Sequence, residues 1–361
     1  MENAQRPHVV IVGGGGTGGA LAHDLALRGI RVTLVERYGL ASGTTGRHHG
    51  LLHSGARYAV NDTESAVECI TENRILRRIC PGSFEENDGL FVAVEEEDLA
   101  YRTRLLMACE ACGIPARWLD RRAALALEPG LSPWTLGAVR VPDATMDALR
   151  LPLRFFATAI ANGADVRPWT EVVGITAQRG CVTGVEVLDR PTGRRYAIGA
   201  DIVVNAAGPW GETIGRMAGV DVPVRPSPGV LVALAGRLSS MVVNRLHPSG
   251  DGDIVVPQRR LSIVGTSSWV VDDPDDIAVP EDHVRRMLEE GSKLLPAVRH
   301  APIRAAWAAA RPLVGDRGAS SGRELSRTFK CFDHATEGVE GLVTISGGKG
   351  TTLRGMAELT A

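Results

Sequence analysis

The hydrophobic residues near the N-terminus change their spacing twice within a short stretch of chain. Residues 9–12 are consecutive apolar positions, a pattern typical of a strand that is buried on both faces. A glycine-rich turn at residues 13–18 follows, and apolar residues then recur at helical spacing up to Gly29. A second apolar run, residues 32–35, ends at Glu36. The pattern therefore predicts a strand, a turn, a helix and a second strand.

This order of elements, closed by an acid, is the dinucleotide-binding fingerprint. Gly13 permits the tight turn, Gly15 lets the backbone approach a pyrophosphate, and Gly18 lets the helix pack closely on the strand. The phosphates would lie at the helix N-terminus, and Glu36 would accept a hydrogen bond from a ribose hydroxyl. The same spacing occurs one residue later, at Gly14, Gly16 and Gly19. We prefer the first register because Gly13 directly follows the strand.

The remaining hydrophobic pattern predicts further helices and strands. Helices are predicted over residues 63–78, 97–112, 120–127, 147–162, 211–218 and 281–294, with a short one at the C-terminal end. Single strands are predicted at 91–94, 138–141, 202–204 and 342–345, and a β-meander at 172–177, 182–188 and 195–198. The region 224–332 is predicted to be mostly stranded, with strands at 230–234, 240–244, 254–257 and 261–266.

Together these elements predict an α/β fold. We expect a Rossmann-type, glutathione-reductase-like FAD-binding domain with an antiparallel β-sheet substrate or cap domain. The first is predicted to be discontinuous, over residues 1–85, 142–223 and 340–361, and the second to comprise 86–141 and 224–339. Strand–glycine–helix patterns recur near residues 208 and 348, but neither is a full fingerprint. A reductase that binds two nucleotides would need a second full fingerprint for NAD(P)H. Its absence favours a single, tightly held dinucleotide, which we expect to be FAD.

Composition narrows the classes of function. The formal net charge of −2 does not indicate a nucleic-acid surface. No apolar run approaches the roughly 20 residues of a membrane helix, and the polar N-terminus carries no secretory signal. We therefore expect a cytoplasmic protein whose contact with the inner face of the cell membrane, if any, is peripheral or through a partner. Cys109 and Cys112 form a single CxxC within a helical pattern, which favours two helical cysteines over a metal or cluster, and no metal site is predicted.

Five motifs spread over the chain carry a family resemblance. They are IVGGG at 11–15, GRHHGLLHSGARYAV at 46–60, VNAAG at 204–208, RPLV at 311–314 and GGK at 347–349. With these motifs the chain resembles the FAD-dependent glycerol-3-phosphate dehydrogenases, and among them the FAD-binding large subunit of the anaerobic enzymes. These belong to the D-amino-acid-oxidase-like flavoproteins. The run from His53 to Tyr58 is the most specific of the motifs.

The resemblance implies oxidation of a small phosphorylated polyol, sn-glycerol 3-phosphate, to dihydroxyacetone phosphate. Hydride would pass to flavin N5 and electrons onward to a quinone or a partner subunit. The residues implied to contact substrate are Arg57, Tyr58, Arg311, Arg327 and Lys349. Such cations suit a phosphate, and Lys349 is one of only three lysines in a chain that otherwise uses arginine. His53 is the candidate base, with Tyr58 and Arg311 as further catalytic residues.

The cofactor set implied by the fingerprint and the resemblance extends along the chain. It comprises Gly13, Gly15, Gly18, Glu36, Arg37, Thr44, Thr45, Val173, Ala207, Gly208, Gly347 and Gly348. Four of the substrate-binding and catalytic candidates also have a structural alternative: Arg57 and Arg327 could pair with surface acids, Tyr58 could be a core residue, and His53 could pack without titrating.

The chain also departs from its relatives. Some aerobic members carry a histidine in the strand corresponding to 229–231, where this chain has none, and Leu353 stands where tyrosine is common. The anaerobic subunits continue into a cysteine-bearing domain beyond the position of Ala361, so either the protein is longer or its electron exit differs.

Two rival functions stay open. One is an oxidase or dehydrogenase of the same fold that acts on an amine or 2-hydroxy acid, and the other is a non-catalytic FAD-binding assembly or sensor module.

Overall fold

In the computed structural model, which describes residues 6–315 and 325–361, the predicted N-terminal strand lies inside a six-stranded sheet. The strands follow one another in the order Phe329–Asp333, Leu342–Gly347, Ile202–Asn205, His8–Val12, Arg31–Val35 and Asp165–Arg167. Neighbouring strands are parallel except Phe329–Asp333, which is antiparallel to Leu342–Gly347. We call this the parallel sheet. The side chains of Val10 and Ile11 are fully buried on its opposite faces, which confirms the predicted two-sided burial.

Helices cover one face of the parallel sheet and strands cover much of the other. Helix Gly16–Leu27 packs between helices Arg150–Ala161 and Leu353–Thr360. Gly19 makes this packing possible, because a Cβ there would lie 2.9 Å from the ring of Phe156. The opposite face is covered by helix Gly211–Met217 and by a meander of the strands Thr170–Gln178, Cys181–Asp189 and Arg195–Gly199.

A second, eight-stranded sheet draws its strands from two separate parts of the chain. Its order is Ile303–Val314, Val224–Ala235, Leu261–Gly265, Ile254–Gln258, Val242–Arg245, Gly89–Ala93, Gly137–Val141 and Arg117–Asp120. All pairs are antiparallel except Val242–Arg245 with Gly89–Ala93. We call it the antiparallel sheet. Helix Glu281–Leu294 closes its core through Met287 and Leu294.

The other regular elements connect these layers. Helices run over Thr63–Ile79, Glu96–Ala111 and Arg121–Leu127, and a small sheet joins Leu51–Leu52, Ala144–Met146 and Phe84–Glu85. Cys109 and Cys112 are buried free thiols at the end of helix Glu96–Ala111. Within residues 6–315 and 325–361, none of the helices combines the length and the apolar character that crossing a bilayer requires.

The predicted fold class is confirmed, with local corrections. The helix predicted from residue 147 begins at Arg150, because the Asp147 carboxylate accepts hydrogen bonds from the N–H groups of Leu149 and Arg150 before the helix starts. Asp120 likewise caps its helix rather than belonging to it. Phe329–Asp333 falls in the segment 224–339 predicted for the cap domain, yet it pairs in the parallel sheet.

Candidate active site

A cavity of about 1240 Å³ lies between the two sheets. One wall is formed where the parallel strands end, at Gly13, Glu36, Gly208 and Gly347. The three strand–glycine patterns of the sequence therefore meet at the carboxyl ends of the parallel strands, which is where ligands bind in open α/β folds. The opposite wall comes from the antiparallel sheet and its loops. The volume exceeds the ~300–1,000 Å³ of ordinary small-molecule pockets.

The glycine turn leaves its backbone open toward this cavity. Gly13 has φ of 112°, and a Cβ there would lie 2.6 Å from the carbonyl oxygen of Ala206. Gly15 is the N-cap of helix Gly16–Leu27, and no side chain of this residue accepts a hydrogen bond from the first N–H groups of the helix. The hydroxyl of Thr45 accepts a hydrogen bond from the N–H of Gly16 at 2.9 Å. The first turn is thus a ready site for a bound anion.

Glu36 is held by backbone donors at the end of the second strand. Its Oε2 accepts from the N–H of Gly14 at 2.7 Å and its Oε1 from the N–H of Tyr38 at 2.9 Å. These bonds fix the carboxylate on the cavity wall, where further lone pairs can meet a ribose. The Thr44 hydroxyl donates instead to the carbonyl of Ala310, at 2.6 Å, and so ties this loop to the antiparallel sheet.

The four cationic residues predicted to contact substrate all line the cavity. They are Arg57, Arg311, Arg327 and Lys349. Arg311, on strand Ile303–Val314, donates to the Thr266 hydroxyl and to the carbonyl oxygens of Ser227 and Pro228, the two carbonyls each at 3.2 Å. These hydrogen bonds hold the Arg311 guanidinium against strand Val224–Ala235.

Arg57 and Lys349 have carboxylate partners. Arg57 Nη2 lies 2.5 Å from Oδ1 of Asp253, a carboxylate that is only 1% exposed. Lys349 Nζ lies 3.0 Å from Glu68 and 2.8 Å from the carbonyl oxygen of Arg327. It also lies 5.4 Å from the centre of the Tyr58 ring. The partner of Arg57 is thus buried and not a surface acid.

His53 lies among these groups with its backbone anchored. Its N–H donates to Thr351 Oγ1 at 3.0 Å and its carbonyl accepts from Asn73 at 3.1 Å. Its ring centre is 5.2 Å from that of Tyr58. Burial, with the charges of Arg57 and Lys349, lowers the pKa of His53 to about 3. The imidazole is therefore neutral near pH 7. Burial also raises the pKa of Tyr58, so its hydroxyl keeps its proton.

Comparison with known families identifies this arrangement. The family model described as FAD dependent oxidoreductase (DAO) matches residues 8–361. The chain belongs to this FAD dependent oxidoreductase family. The match covers both sheets and every wall of the cavity. FAD is thus the cofactor, as predicted.

Relatives and solved structures agree with this membership. One subunit of the anaerobic glycerol-3-phosphate dehydrogenase of Escherichia coli (strain K12) is 43% identical over 360 residues, 99% of this chain and 66% of that protein. The mitochondrial glycerol-3-phosphate dehydrogenase of Rattus norvegicus is 30% identical and matched over 53% of its length. The chain therefore spans about two thirds or less of these relatives. The resemblance predicted from the sequence is confirmed.

One solved structure is of special interest for the cofactor. Glycerol-3-phosphate dehydrogenase from Bacillus halodurans, complexed with FAD, has 25% identity and a TM-score of 0.74, over 99% of this chain and 64% of that one. Glycine oxidase from Bacillus cereus has 25% identity and a TM-score of 0.76 over 98% and 95%. A glycerol-3-phosphate dehydrogenase and a glycine oxidase therefore share the fold of this chain.

The residues of this oxidoreductase fit FAD. The open helix N-terminus suits its pyrophosphate, Glu36 suits a ribose, and the cavity has room for a dinucleotide beside a small substrate. FAD would supply a hydride acceptor. Gly347 and Gly348, both with positive φ, let the chain pass close to the cavity before Lys349.

Of the predicted site residues, all but two line the cavity. Gly18 does not line it; a Cβ there would overlap the carbonyl oxygen of Gly13, which agrees with the packing role predicted for it. Val173 lies outside the lining because the strand register shifts between Val172 and Gly174, and Val172 faces the cavity instead. Sequence reasoning missed Trp210, although it follows the second glycine pattern, and also Asp275, for which the sequence offered no signal.

Proposed function

We propose that this chain oxidises the C2 hydroxyl of sn-glycerol 3-phosphate to dihydroxyacetone phosphate. The observation that carries the proposal is the convergence of Arg57, Arg311, Arg327 and Lys349 on the cavity that also contains the dinucleotide cradle. A carboxylate substrate needs one arginine clamp, whereas a phosphate dianion favours several cations. The names of the relatives from Escherichia coli and Rattus norvegicus support the same substrate.

The cations would hold the phosphate and so fix the C2 carbon over the cofactor. Arg311 is aligned by its hydrogen bonds to the carbonyl oxygens of Ser227 and Pro228, and its planar fork suits a phosphate oxygen pair. Lys349 is 7% exposed and rests against Glu68, so it enters the reaction already ordered. Orientation of this kind lowers the entropic cost of the reaction.

His53 would take the hydroxyl proton as the C2 hydride leaves. A neutral imidazole has the free lone pair that this step needs. Its pKa is low because of burial and because Arg57 and Lys349 repel the protonated ring. A bound phosphate dianion would offset those two charges, so we expect substrate to raise the basicity of His53. Tyr58, which keeps its proton, would donate a hydrogen bond to the substrate oxygen.

The electrons would then leave toward a quinone or a partner subunit. The Escherichia coli relative is named as one subunit of its enzyme, which supports a partner. The similarity to a glycine oxidase structure supports an amine substrate as the second candidate.

One anaerobic mixing experiment separates the candidates. Protein reconstituted with FAD is mixed with sn-glycerol 3-phosphate, glycerol or glycine, and the oxidised-flavin absorbance is followed. We expect bleaching with glycerol 3-phosphate, much slower bleaching with glycerol and none with glycine. Bleaching by glycine alone would favour the amine oxidase, and an unchanged spectrum with all three would favour a non-catalytic module.

A further inference from the structure

A loop that follows a strand of the antiparallel sheet lines the cavity together with Glu36. The part of the cavity near Glu36 is the ribose end, because Glu36 closes the fingerprint. Residues 272–277 lie in the loop between strand Leu261–Gly265 and helix Glu281–Leu294 and have no helix or strand of their own. Pro274, Asp275 and Ile277 of this segment line the cavity. The loop therefore faces the parallel sheet across the site.

A two-part contact joins the loop to the parallel sheet. Arg37 Nη2 donates to Asp275 Oδ1 at 2.6 Å and Nη1 donates to Oδ2 at 3.3 Å, which makes the pair bidentate. The guanidinium carbon also lies 4.3 Å from the centre of the Trp210 ring. Arg37 directly follows Glu36, and Trp210 lies beyond the second glycine pattern. Three distant segments thus meet above the ribose end.

We propose that residues 272–277 form a strap over the adenosine end of the FAD site, and that the Arg37–Asp275 pair on Trp210 latches it. A bound dinucleotide would lie beneath the strap, so FAD could leave only when the latch opens. In this assignment Arg37 acts on FAD retention through Asp275, and not mainly through its own contact with the cofactor.

The geometry also limits how strong the latch can be. The side chains of Arg37 and Asp275 are 25% and 55% exposed, so water and salt weaken the ion pair. Stacking on the indole adds a second modest contribution. Together these contributions correspond to an about three- to tenfold change in a dissociation rate. The latch should therefore open often enough for exchange while slowing release.

A double-mutant cycle on the rate of FAD release tests the proposal. Holoprotein is diluted and the rise of free-flavin fluorescence is followed for wild type, Asp275→Asn, Arg37→Gln and the double variant. Asp276→Asn is the matched control, because it removes the same charge one residue along the strap. We expect each single variant to release FAD about three- to tenfold faster, and the double variant to be no faster than the faster single one.

Salt gives an independent readout. Raising NaCl from roughly 0.05 M to roughly 0.5 M should speed release from wild type and change release from Asp275→Asn much less, because screening acts on the pair. Release from Asp275→Asn at the rate of Asp276→Asn would overturn the latch. A strong effect of Arg37→Gln that adds fully to that of Asp275→Asn would instead mean that Arg37 contacts FAD directly.

Discussion

A methyl group added at Gly15 should have a different effect from one added at Gly18. The first should weaken FAD binding, and the second should lower the stability of the fold. At Gly15 an added Cβ would lie 3.3 Å from Thr45 Oγ1, a close contact that a small movement of the side chain can relieve. Because Gly15 also lines the cavity, the methyl group would take up space in the cradle that the fingerprint assigns to the pyrophosphate. Gly15→Ala should therefore fold normally and bind FAD weakly. Loss of one charge-assisted contact costs about 1.5–3 kcal/mol, or about 10–150-fold in Kd.

Gly18→Ala should instead damage the fold. Its Cβ would overlap the carbonyl oxygen of Gly13, whose backbone, with φ of 112°, lies in a region that favours glycine. Alanine is favoured over glycine within a helix by about 1 kcal/mol. Overpacking costs about 1–3 kcal/mol and can cost more. Because the clash is with backbone and not with a flexible side chain, we expect the cost to exceed the gain, so the apoprotein should lose stability.

Urea unfolding of the apoproteins and FAD titration by fluorescence quenching measure the two effects separately. Gly199→Ala is the control, since its Cβ would have only an ordinary contact, 3.9 Å from the carbonyl oxygen of Thr183. We expect Gly15→Ala to have the same free energy of unfolding as this control but a weaker affinity for FAD. Gly18→Ala should have a lower free energy of unfolding even without FAD. Wild-type FAD affinity in a folded Gly15→Ala would refute the pyrophosphate cradle, and full stability of Gly18→Ala would refute the predicted clash.

Four further predictions concern the substrate end of the cavity. Lys349→Met should weaken binding of glycerol 3-phosphate about 10–150-fold and that of glycerol little, and equal effects on both would exclude a phosphate contact. Glu68→Gln keeps a hydrogen-bond acceptor 3.0 Å from Lys349 but removes a negative charge, so phosphate titrated against the flavin spectrum should bind more tightly; weaker binding would contradict this. His53→Asn should slow anaerobic flavin reduction at least about 10²-fold with FAD content unchanged, and His49→Asn should be milder; a wild-type rate in His53→Asn would make His53 structural. The pKa of His53 falls from 6.5 to about 3 on folding, so between these pH values the unfolded chain binds more protons than the folded chain. The free energy of unfolding should therefore decrease as the pH drops through this window, and it should decrease less steeply in His53→Asn than in wild type.

Local sequence signals predicted the elements that depend on near neighbours. The glycine fingerprint needs only residues 9–36, and helix Glu281–Leu294 is found at its predicted bounds, where Pro280 precedes an acidic first turn. Strand Ile303–Val314 was not predicted individually because it is rich in alanine, which favours helix over strand. It is a strand because it pairs along its length with Val224–Ala235.

The site could be predicted as a set of residues but not as a set of partners. The resemblance brought Arg57 and Lys349 to one place, whereas their carboxylates, Asp253 and Glu68, lie far away in sequence. The low pKa of His53 has the same origin, because it depends on burial and on two charges that only the tertiary structure brings together. The sequence left open whether His53 acts as a base or packs without titrating.

The strand order of the parallel sheet affects how the protein is made on the ribosome. His8–Val12 is synthesised first, yet its neighbour Ile202–Asn205 and the next strand, Leu342–Gly347, emerge much later. Until then the nascent chain exposes unpaired strand edges, which favour association with other chains. Lys349 follows the last of these strands, so the anion site can be completed only after strand Leu342–Gly347 has been synthesised. We therefore expect chaperone dependence during synthesis, and chains halted before residue 342 should aggregate without acquiring cofactor.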